Sequence, residues 1–150
     1  MAHSYTNCLV HYVFSTKNRE RLLSDEVRSR LWPYIGGIAR QNGMNPLAVG
    51  GVEDHAHALV AVPAVLSIAK AIQLIKGGSS KWLHETFPSL RSFAWQEGYG
   101  AFTIGVSGVD DTVAYIKRQD EHHRNRTFDE EFVAFLRRHG IQYDDRYVFG

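Results

Sequence analysis

The chain has 150 residues, 44% hydrophobic and 22% charged, a balance that supports one globular domain over 1–150 with its own core. Its 17 Lys and Arg against 16 Asp and Glu give a formal charge of +1, which excludes a protein that coats duplex nucleic acid through net charge and makes any polyanion site local. A lone cysteine, Cys8, excludes an internal disulfide, Met1 to Thr6 lacks a signal-peptide pattern, and no apolar run approaches the ~20 residues that cross a bilayer, so the expected setting is the cytoplasm with no membrane partner.

Cys8 to Ser15 is rich in β-branched and aromatic residues and reads as a strand, placed centrally by its apolar content on both faces. The charged stretch Lys17-Asn18-Arg19-Glu20-Arg21 follows as a loop, either a solvated connector or a contact for phosphate. Ser24 then acts as an N-cap with Asp25 and Glu26 in the first turn. Val27, Leu31, Tyr34, Ile35 and Ile38 recur at helical spacing up to Gly43, predicting an amphipathic helix packed on a sheet. Pro33 and Gly36-Gly37 predict a bend inside it.

Leu47 to Val52 and His55 to Val62 are strand-like runs joined by Glu53-Asp54, the pattern of an antiparallel hairpin. Ser67 caps a helix carrying Ile68, Ala71, Ile72, Leu74 and Ile75, which is expected to break or bend after Lys76 at Gly77-Gly78-Ser79-Ser80. Phe93 to Val106 reads as a loop and a fourth strand, whose Trp95 and Tyr99 are either core rings or exposed platforms for unpaired bases. Asp110 or Asp111 begins a helix expected to reach about His123. Thr127 to Glu130 has capping-box spacing ahead of a last helix with Phe132, Val133, Phe135 and Leu136 on its apolar face, stopped by Gly140. The aromatic tail with Tyr143, Tyr147 and Phe149 is expected to dock. The order strand, helix, two strands, helix, strand, two helices predicts an α+β domain: a mostly antiparallel four-stranded sheet with helices packed on one face, ferredoxin-like.

The chemistry begins at His55-Ala56-His57. Successive strand side chains alternate, so the two imidazoles share a face and can hold one divalent metal ion. Tyr115 and Gln119 lie four residues apart on the predicted helix, so one face presents a hydroxyl nucleophile and an amide oxygen that can complete a His, His, Gln ligand set. A cation with open positions neutralises a phosphodiester, and Tyr115 can attack it in line to form a phosphotyrosine. A phenol with a pKa of ~10 needs activation, and the sequence offers no dedicated base. His122 continues the tyrosine stripe and His123 flanks it, both also suited to a helix C-terminus. Lys76, Ser79, Ser80 and Lys81 around the glycine pair can bind phosphate through hydroxyls, backbone N–H groups and charge, and Arg118 joins them as a candidate DNA contact.

Taken together, His55-Ala56-His57, Lys76 to Trp82, Trp95 to Phe102, and Tyr115-Ile116 with Gln119 resemble, in this order over nearly the whole chain, the single-tyrosine HUH transposases of small bacterial insertion sequences. The resemblance implies that His55, His57 and Gln119 bind Mg²⁺ or Mn²⁺. It implies that Tyr115 attacks single-stranded DNA, keeps the 5′ phosphate and releases a 3′ hydroxyl that later joins new ends without ATP. It also implies a homodimer that binds hairpin ends, in which the tyrosine helix of one subunit can complete the metal site of the other. Ala56 departs from the family pattern, which usually has a bulky apolar residue between the histidines. The alternatives are a related HUH nicking or replication-initiation enzyme, a domesticated repeat-associated relative, a non-catalytic single-stranded DNA-binding module, and a small metal-dependent hydrolase using bound water.

Overall fold

Every residue of β1, Cys8–Ser15, after the first is buried, with Val10, Tyr12 and Phe14 on one face and Leu9, His11 and Val13 on the other. A strand with that composition belongs inside a sheet. The computed structural model, which describes residues 3–119 and 126–149, places it between β3, His55–Val62, and β4, Gly100–Ile104, with β2, Asn45–Val52, on the far side of β3. The order is β2-β3-β1-β4, every pairing is antiparallel, and β1 meets β3 in the register Ser15 to His55 and Val13 to His57.

Helices α1, Asp25–Gln41, and α2, Ile68–Thr86, cover the face that carries Tyr12, Phe14, Ala58 and Val60, burying Leu31, Ile35, Ile72 and Ile75 against it. These four strands and two helices make the ferredoxin-like split βαβ arrangement expected from their order. Ala56, small where the family pattern is bulky, lies opposite Phe14 in this core. α1 runs unbroken with Pro33 inside it, and the Ser24 hydroxyl accepts from Val27 N–H at its start. The break expected in α2 after Lys76 is absent. An ideal Cβ at Gly78 would stand 2.9 Å from Ile38 Cδ1, so the bare backbone lets the two helices approach, and their packing offsets the glycine penalty of ~1 kcal/mol.

Two further helices cover the opposite face, where the sequence reading placed none. α3 spans Val109–Lys117 and α4 spans Phe128–Arg138. The reason is that this face also carries apolar side chains, Val13 and Phe102 among them, which α4 buries under Phe128, Phe132, Phe135 and Leu136. α3 ends earlier than expected because Arg118, at φ −103° and ψ 26°, leaves helical geometry, and the expected continuation through His122 and His123 lies outside the described residues. α4 opens on the predicted capping box, with Thr127 and Glu130 exchanging side-chain to backbone hydrogen bonds. Tyr143, Val148 and Phe149 of the tail dock on the α4 core, whereas Tyr147 is 70% exposed. Among the described residues, no helix is long and apolar enough to cross a membrane.

Candidate active site

The alternation of β3 sends Ala56 and Ala58 into the α1/α2 core, and His55 and His57 to the other face, where both rings are 0% exposed. Each ring is fixed from behind. His55 Nδ1–H donates to Asp54 Oδ1 at 2.7 Å, and His57 Nδ1 lies 2.8 Å from Nε2 of His11 on β1. Burial, with the neighbouring His57 adding to it, holds the His11 pKa well below the usual imidazole value, so His11 is neutral. With neutral His11 as acceptor of the Nδ1 proton, the lone pair of His57 Nε2 would be free for a cation, the arrangement that metal-ligating histidines use; without a cation, Nε2–H donates to Glu131 Oε1 at 3.0 Å and Nδ1 accepts from His11.

α3 reaches the histidines because β2 presents a glycine to it. A Cβ at Gly50 would stand 3.0 Å from both Cγ2 and O of Ile116, so the helix lies directly on the strand. That contact brings the Tyr115 ring centroid to 5.8 Å from the His57 ring. Just past the end of α3, buried Gln119 sets its Oε1 3.1 Å from His55 Nε2. The predicted constellation of His55, His57, Tyr115 and Gln119 therefore assembles within one chain.

A fifth member comes from α4. Glu131, 0% exposed, places Oε1 3.3 Å from His55 Nε2 and 3.0 Å from His57 Nε2, while its other oxygen accepts a short hydrogen bond from the Tyr115 hydroxyl. Burial alone would lower the pKa of His55, but its bonds to Asp54 and Glu131 outweigh this and lift it to about 9, so the ring is cationic at neutral pH. Tyr115 is pushed above its ordinary value, first by burial and then by the charge of Glu131, and remains a phenol. Ligand atoms of His55, His57 and Glu131 all lie within 4.8 Å of one another. Two imidazoles and a carboxylate, with the amide oxygen of Gln119 beside them, form a donor set that suits a divalent cation, and half-buried Asp54 behind His55 adds negative charge that favours one there.

Neither His11 nor Glu131 was identified from the sequence as a site residue. A signal existed for Glu131, which interrupts the apolar stripe of α4 three residues after Phe128 and four before Phe135, where a charge needs a partner. The other candidate residues do not join the cluster. Lys76, Ser79, Ser80 and Lys81 ride on α2, across the sheet. Lys76 Nζ donates to the carbonyls of Gln96 and Gly98 at 2.6 and 2.8 Å, and burial lowers its pKa to about 8. Ser79 is buried, donating to Ile75 O and accepting from Trp95 Nε1–H, whereas Ser80 is half-buried and Lys81 exposed. Arg118 is exposed as the C-cap of α3, next to Gln119.

Comparison with known proteins gives this geometry its context, since residues 4–119 match the family described as IS200-like transposases. The chain belongs to the IS200-like transposase family. The match includes His55, His57, Tyr115 and Gln119 and ends before α4, so Glu131 lies beyond it. This IS200-like family member is 30% identical over 129 residues to the transposase for insertion sequence element IS200 of Salmonella typhimurium, covering 81% of this chain and 82% of that protein. It is 27% identical over 116 residues to the ISDra2 transposase TnpA of Deinococcus radiodurans, covering 74% and 83%. A crystal structure described as a transposase from Deinococcus radiodurans R1 superposes with a TM-score of 0.65 at 26% identity, covering 79% of this chain and 96% of that one. The fold is also shared, at 16% identity and a TM-score of 0.59, with a REP-associated tyrosine transposase solved bound to a REP hairpin, covering 82% and 73%. Membership of a transposase family makes DNA cleavage the activity class of this protein.

Proposed function

We propose that this IS200-like transposase-family protein cleaves and rejoins single-stranded DNA at insertion-sequence ends through a 5′-phosphotyrosine on Tyr115, with Mg²⁺ or Mn²⁺ as cofactor. The observation that carries this reading is that the Tyr115 hydroxyl meets His55, His57 and Gln119 around one buried carboxylate, Glu131. His55 Nε2, His57 Nε2, Gln119 Oε1 and Glu131 would hold the cation, which when bound supplies positive charge to the phosphate oxygens.

The rest of the chemistry belongs to the chain itself. Glu131 holds the phenol in place and, as the acceptor of its hydrogen bond, is the group to which the Tyr115 proton passes when the oxygen attacks phosphorus. The new bond to Tyr115 forms as the bond to the 3′ oxygen breaks, and that oxygen takes up a proton to become a free hydroxyl. The bond energy is kept in the phosphotyrosine, so attack by another 3′ hydroxyl rejoins DNA without ATP. Asp54 and His11 keep the two imidazoles oriented. We propose hairpin ends as the substrate, by likeness of fold to the transposase solved on a hairpin, and a cytoplasmic homodimer as the working form. We propose that the tyrosine acts on the histidines of its own protomer, a reading supported by the contacts of Tyr115 and Gln119 within the one chain.

The test is covalent capture of a hairpin-bearing single strand in Mn²⁺, read as a protein–DNA adduct on a denaturing gel. Tyr115→Phe is expected to abolish the adduct while retaining hairpin binding, and undiminished adduct in that variant would reject the assignment.

A further inference from the structure

On the α2 side of the sheet, α2 and the segment leading into β4 enclose a cleft of about 410 Å³, a size suited to a small ligand, with Ile72, Lys76, Gly77, Gln96 and Tyr99 among its walls. Its walls are preformed. Lys76 Nζ ties the Gln96 and Gly98 carbonyls to α2, Gln96 N–H donates to Ser15 O at 2.8 Å, and Ser15 N–H donates to Gln96 Oε1 at 2.7 Å. Ser15 pairs with His55 across the strands, so the cleft lies at the same end of the sheet as the tyrosine site.

Gly77 has no packing role in the fold, and Tyr99 is only partly covered by it. Gly77 is exposed in the middle of α2, where an alanine would be favoured by ~1 kcal/mol, and a Cβ there would meet nothing within 4 Å, in contrast to Gly78 one residue on. Helix packing therefore does not require this glycine, but an open cleft does. Tyr99 packs against Tyr12 with ring centroids 6.2 Å apart and still keeps 36% of its surface exposed, while Trp95 beside it is 7% exposed and belongs to the core. The cation in the wall, Lys76, is already engaged with carbonyls, and Glu97 at the exposed side is acidic, so the cleft suits a planar uncharged group rather than a phosphate.

We infer that this cleft receives one unpaired nucleobase of the single-stranded substrate, with Tyr99 as its stacking surface and Gly77 leaving the room. The inference rests on the single-strand reading proposed above. The stem of the strand would then be held on one side of the sheet end while its phosphate reaches Tyr115 on the other, and Gln73 and Ser80 offer polar groups to the base edge.

The test is binding of the full chain, in EDTA, to a fluorescent single strand containing all four bases and to an abasic strand of the same length. Tyr99→Ala and Gly77→Leu are expected to weaken binding of the base-containing strand about tenfold and to leave the abasic strand unaffected. Tyr99→Phe is expected to bind as the wild type does, and thermal melting of Gly77→Leu, which adds a good helix former, is expected to show a fold at least as stable as the parent. Variants that bind both strands as the wild type does, or that lose both equally, overturn the inference while wild-type covalent capture stands. A wild type that neither binds the base-containing strand nor captures it removes the single-strand reading, and this inference with it.

Discussion

A carboxylate sealed from water needs positive charge or several donors, and Glu131 finds both in the two imidazoles and the phenol that surround it. Glu131→Gln keeps the size and removes the charge. It is expected to lower Mn²⁺ affinity by about 10- to 100-fold, measured by calorimetry on the full chain, and an unchanged affinity would remove Glu131 from the ligand set. The pH response follows from His55. Its pKa of about 9 lies above the ~6.5 of an unfolded imidazole, so the charged ring stabilises the cation-free fold fully below pH ~6.5, and that contribution is lost as the pH rises to about 9. Melting temperatures in EDTA are expected to fall over this window in the wild type and less steeply in His55→Gln; parallel curves would contradict the assignment. Spacing made His55, His57, Tyr115 and Gln119 legible in the sequence, because a period of two and a turn of four are local. His11 and Glu131 were not, since they meet His57 across 46 and 74 residues and no local period connects them.

At the scale of elements, the site depends on how closely α3 lies on β2. Gly50→Ala would place a Cβ 3.0 Å from the Ile116 carbonyl and side chain, forcing the helix outward at a cost of about 1–3 kcal/mol. Because Tyr115 and Gln119 flank Ile116, the expected outcome is a fall in covalent capture much larger than the fall in stability, measured on the same preparation by adduct yield and urea denaturation. Proportional losses would show that the contact is merely structural. Element types and order were readable from periodicity and caps: the Ser24, Ser67 and Thr127 hydroxyls all cap as their sequences suggest. Two boundaries were not. The Gly77-Gly78 pair looks like a helix break until Ile38 of α1 is seen to need the space, and nothing in Lys117-Arg118-Gln119 announces that Arg118 ends α3.

For the molecule as a whole, one sheet separates two tasks. The face under α1 and α2 carries the aliphatic core, and the face under α3 and α4 carries buried polar groups that a fold of this size keeps only with partners for each. The apolar stripes of α1, α2 and α4 are all legible in the sequence, but no local period tells which face of the sheet a helix packs on, so the return of α3 and α4 over the histidines was not. That return is what brings the tyrosine, the histidines and the glutamine together within the chain. The most direct measurement is anomalous diffraction from crystals of the full chain grown with Mn²⁺. The account predicts one strong peak at His55 Nε2, His57 Nε2, Gln119 and Glu131 of the same protomer, with the Tyr115 hydroxyl of that protomer beside it; a peak completed by the Gln119 and Tyr115 of a second copy, or one away from the two histidines, would contradict it.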